Sequence, residues 1–185
     1  MSNNGNDDSE DLSGSSSNNS LLPGWLYALL SYRGELGAWE WSFFVPDSSG
    51  REGTLFYVKI ITTPSNSTYW KFEVDTGDIV ASPEAVALVR LASVADLGHY
   101  EEIVSENGLS PMFAVVAIPA PDSLPMDFSS RSWFLDAIGM LHDCGVVQCD
   151  DVWLLEREIR RYAFNAMDKY LQNRGCTVYT AEKCS

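Results

Sequence analysis

The chain has 185 residues, enough for one domain of ordinary size, and its 45% hydrophobic and 12% aromatic content is sufficient for a core. Its formal net charge is −14 at pH 7. A field of that sign repels nucleic-acid phosphates and anionic lipid headgroups, so neither nucleic acid nor a membrane is expected as a partner. The acidity either only maintains solubility or complements a basic protein partner.

The first 20 residues are almost all Ser, Asn, Gly, Asp and Glu. Too little apolar surface is present to offset the entropy of ordering, so a disordered acidic tail is predicted over 1–20 and a single α+β domain over 21–185. The tail either solubilises the domain or binds a partner. It has no basic region and no apolar run, so it is not a signal peptide, and a cytoplasmic or nuclear location is expected.

Strands are predicted in the first part of the domain. Residues 21–32 are apolar and aromatic, which suits a buried strand or a short helix. Residues 39–45 alternate polar and apolar side chains, and residues 54–61 and 69–74 are rich in β-branched and aromatic types. The short, turn-rich connections between the last three predict an antiparallel meander.

The middle of the domain is predicted to be mixed. Ser82, Pro83 and Glu84 are typical of a helix start, although residues 89–94 can equally be read as a strand. Residues 97–106 are predicted to be helical, and residues 113–118 to form a short buried strand before a Pro-rich loop.

Two helices are predicted in the last part. The first follows Ser129 or Ser130 as N-cap, and the second spans about residues 151–173 with one apolar stripe. Strands followed by helices without strict alternation indicate an α+β fold, an antiparallel sheet packed against helices.

Few residues are suited to catalysis or metal binding. The sequence has no phosphate-binding loop and no dinucleotide fingerprint, and its only histidines are His99 and His142. His142 lies beside Cys144 and near Cys149, but no convincing fourth zinc ligand accompanies them. We therefore expect no metal and no cofactor, with a zinc-stabilised structural protein left as a weaker possibility.

Four segments resemble a known family: residues 34–45 (GELGAWEWSFFV), 53–60 (GTLFYVKI), 70–73 (WKFE) and 129–138 (SSRSWFLDAI). In this order they resemble an uncharacterised domain family found mostly in fungi, which is similar to papain-like and NlpC-type cysteine hydrolases. The resemblance covers most of residues 24–172. It implies a papain-like arrangement, with a catalytic Cys at a helix N-terminus and a His on a strand.

Both catalytic positions implied by the resemblance are changed here. Ser130 (or Ser129) stands where the family has Cys, and Glu40 stands where it has His. A serine hydroxyl has a pKa far above neutrality, and an ordinary carboxylate is a weak base towards it. The resemblance therefore implies a pseudoenzyme that keeps the scaffold and lacks the Cys/His pair.

Two hypotheses for function follow. The first is a non-catalytic binding or protein-interaction module, in which Trp39, Glu40, Trp41 and Trp133 line the remnant cleft, although the tryptophans could equally belong to the core. The second is a hydrolase or transferase with an unrecognised nucleophile. Its candidate residues are Ser130 with Glu40, or Cys144 or Cys149 with His142.

Overall fold

The computed structural model describes residues 21–121 and 127–185. The predicted disordered tail, residues 1–20, lies outside these residues. The described residues form six strands and four helices, with a short 3-10 turn at Ala95–Leu97. The strands are β1 (Trp25–Tyr32), β2 (Trp39–Pro46), β3 (Glu52–Thr62), β4 (Thr68–Asp78), β5 (Ala85–Ser93) and β6 (Thr177–Thr180). The helices are α1 (Tyr100–Val104), α2 (Leu109–Ala114), α3 (Ser130–Asp143) and α4 (Val152–Leu171).

All six strands join one sheet in the order β4-β3-β2-β1-β5-β6. Neighbours from β4 to β5 are antiparallel, and the predicted meander of β2, β3 and β4 is present. The expectation of an antiparallel sheet is wrong at one edge, because β6 pairs parallel to β5. A parallel pair needs a long crossover, which the helices between β5 and β6 supply. The α+β class is confirmed, with a mixed sheet.

The helices cover one face of the sheet. The main core lies between the sheet and the helices and includes a group of aromatic rings. The ring of Phe43 stacks on that of Phe134 with centroids 4.3 Å apart, and its centroid lies 4.7 Å from that of Phe113. A smaller apolar cluster on the opposite face includes Tyr27 and Phe44. Because strand side chains alternate between faces, neighbouring residues of β2 belong to different clusters.

Two local predictions in the middle of the domain are wrong. Ser82, Pro83 and Glu84 start no helix, because they lead into β5, which is held between β1 and β6 and is buried on both faces. Residues 113–118 form no strand, because α2 ends at Ala114 and places Leu109 and Phe113 on one buried helical face. Only part of the predicted helix at 97–106 is an α-helix, since α1 spans Tyr100–Val104.

The last two helices begin as predicted. Ser129 is the N-cap of α3, and its side chain accepts a hydrogen bond from the backbone N–H of Ser132 at 3.2 Å. Asp151 caps α4, accepting from the backbone N–H groups of Trp153 and Leu154. Each cap accepts from N–H groups two or three residues ahead of it, so local capping signals set both helix starts.

Candidate functional site

The sheet splits between β2 and β3. These strands pair at four positions, from Phe43 opposite Phe56 to Pro46 opposite Gly53, whereas β3 and β4 pair at eleven. The ribbon of β3 and β4 therefore diverges from β2, and residues 39–42 pair only with β1. On the side of the split, the backbone N–H of Trp41 has no strand partner.

The N-terminus of α3 fills this split. Ser130 is the first residue of the helix, and its Oγ accepts a hydrogen bond from the backbone N–H of Trp41 at 3.2 Å. The side chain of Ser130 is buried, at 2% exposure. Ser130 therefore takes the place of a strand neighbour, while Ser129 has the capping role that the sequence assigned to either serine.

Glu40 lies beside Ser130. Its carboxylate is 3.0 Å from Arg33 Nη1, and the Ser130 hydroxyl is near enough to influence its pKa. Burial raises the pKa of Glu40 above its ordinary value, and the Arg33 charge and the Ser130 hydroxyl offset part of that rise. The structure thus places Ser130 and Glu40 near each other, because Ser130 is hydrogen-bonded to the backbone of Trp41, the residue after Glu40.

This arrangement is poorly suited to nucleophilic catalysis. The Ser130 oxygen is buried and already accepts the Trp41 N–H, and Glu40 is paired with a guanidinium. A serine nucleophile needs a base that removes its proton and an open path for the substrate. A carboxylate that shares its charge with Arg33 is a weak base for a hydroxyl.

Of the four predicted binding residues, only Glu40 has a side chain that reaches the surface. Trp39, Trp41 and Trp133 are 6%, 2% and 0% exposed and belong to the main core. Trp41 packs on Phe134 at 5.2 Å, between the sheet and α3. Their positions on the helix-covered face explain the burial, and the structure places these three tryptophans in the core, the alternative that the sequence left open.

A surface pocket of about 660 Å³ adjoins Glu40. Except for Tyr32, whose ring packs near that of Tyr170 on α4, its strand residues share the face of the sheet opposite the helices, by the alternation of the strands. The lining residues are Ser31, Tyr32, Arg33, Gly34, Glu40, Ser42, Leu55, Tyr57 and Glu84. The volume falls in the range of small-molecule and side-chain pockets, roughly 300 to 1,000 Å³.

The sequence did not identify most of this pocket. The available signal was polar side chains at alternate positions of adjacent strands, Ser31 in β1 and Glu40 and Ser42 in β2. Without the pairing register, which places Ser31 opposite Glu40, these positions could not be grouped. Arg33 and Glu84 come from the two turns that meet at this edge.

The candidates near the end of α3 lie away from this pocket. His142 Nδ1 accepts the backbone N–H of Cys149 at 3.3 Å, so the imidazole holds the loop after α3. Cys144 is exposed, whereas Cys149 and Cys184 are buried. Within residues 21–121 and 127–185, no three His, Cys, Asp or Glu side chains are grouped so that they could hold a metal ion.

Comparison of the chain with protein-family models, curated proteins and solved structures finds no match. Among the helices of the described residues, none combines the length and the apolar character that a membrane crossing requires.

Proposed function

We propose that the chain is a non-catalytic binding module on a degenerate cysteine-hydrolase-like scaffold, and that the pocket beside Glu40 is its binding site. The observation that carries the proposal is an open pocket lined by Glu40, whose chain neighbour Trp41 donates its backbone N–H to Ser130 Oγ. The resemblance implies a catalytic pair at these positions, and here they hold a hydroxyl and a carboxylate instead. Binding can persist at such a site after the reactive groups have been replaced.

The charges around the pocket favour a basic ligand. Glu40 and Glu84 contribute two carboxylates, and Arg33 offsets one of them. Glu84 is exposed and has no ion pair among the described residues, so it is available to a cation. With the overall charge of −14, these groups attract a Lys or Arg side chain of a partner protein.

The walls of the pocket suit the stem of such a side chain. Leu55 and Tyr57 of β3 supply apolar and aromatic surface, while the Ser42 hydroxyl donates to the backbone oxygen of Leu29 at 3.5 Å. Long basic side chains bury their methylene stems on such surfaces while the charged head contacts carboxylates. We therefore propose a basic protein segment, rather than a nucleic acid or a membrane, as the partner.

The test is a titration of the isotope-labelled chain with short Lys/Arg-containing peptides, followed by backbone NMR shifts. The expected result is a set of shifts confined to the residues around the pocket, absent with matched Gln-containing peptides. The variant Glu84→Gln should weaken binding about two- to fivefold, as expected for one partly exposed charge. Glu106→Gln, an exposed glutamate outside the pocket, is the matched control.

Two results would contradict the proposal. The first is the same affinity for Glu84→Gln and Glu106→Gln, which would indicate attraction by net charge alone. The second is cleavage or modification of the bound peptide, detected by mass spectrometry, since a binding module leaves its ligand unchanged.

The alternative function, a hydrolase or transferase, has one observation in its favour. Ser130 lies at a helix N-terminus with a carboxylate beside it, which is the relative placement of a nucleophile and a base. A fluorophosphonate probe tests it directly. Stoichiometric labelling of Ser130 that is lost on denaturation would favour the enzyme over the binding module, and iodoacetamide would test Cys144 and Cys149 in the same way.

A further inference from the structure

The segment that follows β6 is attached to the rest of the fold at several points. Ala181 donates its N–H to the backbone oxygen of Arg90 at 2.9 Å. The buried carboxylate of Glu158, on α4, accepts the backbone N–H groups of Glu182 at 2.9 Å and Lys183 at 3.1 Å. These bonds fix the position of the next residue, Cys184, against α4.

The same segment pairs with the loop between α3 and α4. Gln148 donates its N–H to the oxygen of Ser185 at 2.6 Å, and Ser185 donates its N–H to the oxygen of Gln148 at 3.0 Å. Two residues that exchange both hydrogen bonds form the hydrogen-bonded pair of an antiparallel ladder. The next pair along that ladder is Cys149 opposite Cys184.

This register is suitable for a disulfide. In a non-hydrogen-bonded antiparallel pair the Cα atoms are about 4.5 Å apart, and disulfides form across Cα separations of roughly 4.4 to 6.8 Å. The Cys149 and Cys184 thiols are near enough to shift each other's pKa. Both side chains are buried, at 3% and 5% exposure, and Cys184 lines two surface pockets.

We propose that Cys149 and Cys184 are a site of reversible disulfide formation, which locks the segment after β6 to the loop between α3 and α4. The site is independent of the pocket beside Glu40. The other two cysteines differ: Cys144 is exposed at the end of α3, and Cys176 is buried in the smaller core cluster on the opposite face.

The reaction needs a small disulfide such as oxidised glutathione as the oxidant. The Cys184 thiol lowers the pKa of Cys149 by hydrogen bonding, and the same contact raises the pKa of Cys184, so Cys149 supplies the thiolate. Cys149 loses its proton to solvent, and its sulfur attacks the reagent, forming a mixed disulfide and releasing one glutathione thiolate. Cys184 then loses its proton to solvent, and its sulfur attacks the Cys149 sulfur and displaces the second glutathione as thiolate. Two protein thiols are oxidised to one disulfide while one glutathione disulfide is reduced to two thiols.

The test equilibrates the full chain with defined ratios of reduced and oxidised glutathione, then alkylates free thiols and maps the peptides without reduction. We expect one linked peptide pair, Cys149 with Cys184, while Cys176 is alkylated and Cys144 is alkylated or carries glutathione. In urea the preference for this pair should fall by about a hundredfold, because the native register is lost. Oxidation should raise the Tm by about 5 to 15 °C, since the crosslink encloses α4 and β6.

The control variants separate this site from nonspecific oxidation. Cys144→Ser should keep the linked pair and the Tm increase, whereas Cys184→Ser should lose both, with a Tm that does not depend on the glutathione ratio. Failure of the folded wild-type chain to link Cys149 with Cys184 under conditions in which the urea-unfolded chain forms disulfides would overturn the proposal. Linkage through Cys144 as the main product would do the same.

Discussion

The hydroxyl of Ser130 is predicted to stabilise the split between β2 and β3, and the variant Ser130→Ala tests this. The mutation removes the acceptor of the Trp41 N–H and leaves that buried group without a partner. An unsatisfied buried donor costs about 1 to 3 kcal/mol of unfolding free energy. A cost near 2 kcal/mol corresponds to a Tm decrease of about 4 to 8 °C for a chain of this size.

The measurement is urea unfolding of the wild type and the variant, followed by tryptophan fluorescence and far-UV circular dichroism, with the slope m compared between them. Ser129→Ala removes the N-cap of α3 and should lower the free energy of unfolding by about 1 kcal/mol, which serves as a reference for the Ser130 variant. Ser67→Ala, at an exposed turn between β3 and β4, should change the stability by less than about 0.5 kcal/mol.

A Ser130→Ala variant as stable as Ser67→Ala would refute this reasoning. The result also bears on function, because catalytic groups are commonly held at a cost in stability and their removal is often neutral or stabilising. A stabilised Ser130→Ala variant would therefore favour the enzyme hypothesis, and a destabilised one indicates that the hydroxyl has a structural role.

Three further predictions concern buried charge and close packing. Burial raises the pKa of Glu40, so the stability that its protonated form contributes is full below the unfolded pKa and is lost as pH rises through the folded pKa. The free energy of unfolding of Glu40→Gln should therefore increase relative to that of the wild type from pH 4 to pH 8. Urea-unfolding free energies that change in parallel for the two proteins would contradict this. Glu158→Gln should lower the free energy of unfolding by about 1 to 3 kcal/mol, because the carboxylate accepts the N–H groups of residues 182 and 183. An unchanged midpoint of urea unfolding would exclude that anchoring role. Gly53→Ala should lower the free energy of unfolding by about 1 to 3 kcal/mol, since a Cβ there would overlap the backbone of β2. Gly77→Ala, at the paired position of β4, places its Cβ where no atom lies within 4 Å and should leave the stability unchanged. Equal effects of the two substitutions would refute the packing argument.

Local sequence signals predicted the elements that depend on neighbouring residues. The alternation at residues 39–45 and the β-branched runs at 54–61 and 69–74 correspond to β2, β3 and β4. Ser129 and Asp151 marked the starts of α3 and α4, because a cap and the N–H groups that it satisfies lie within three residues of each other.

Tertiary contacts overrode the local signals at β5 and α2. Ser82 and Pro83 are typical of a helix start, yet pairing with β1 and β6 stabilises the residues after them more than a helix would. The apolar run at residues 113–118 fits a strand by composition, but Phe113 contacts Phe43 and Phe56 from a helix. Short apolar runs suit either state, and the neighbours in space decide between them.

The sequence by itself determined the acidity, the α+β class, the main strands and the last two helices, since composition, period and capping are encoded locally. Its resemblance pointed to Ser130 and Glu40, which are distant along the chain and adjacent in the structure. Only the tertiary structure decided that three tryptophans are buried, that β6 lies parallel to β5, and that Cys149 faces Cys184. Strand register and helix docking set these outcomes, and both depend on contacts between segments that no local pattern specifies.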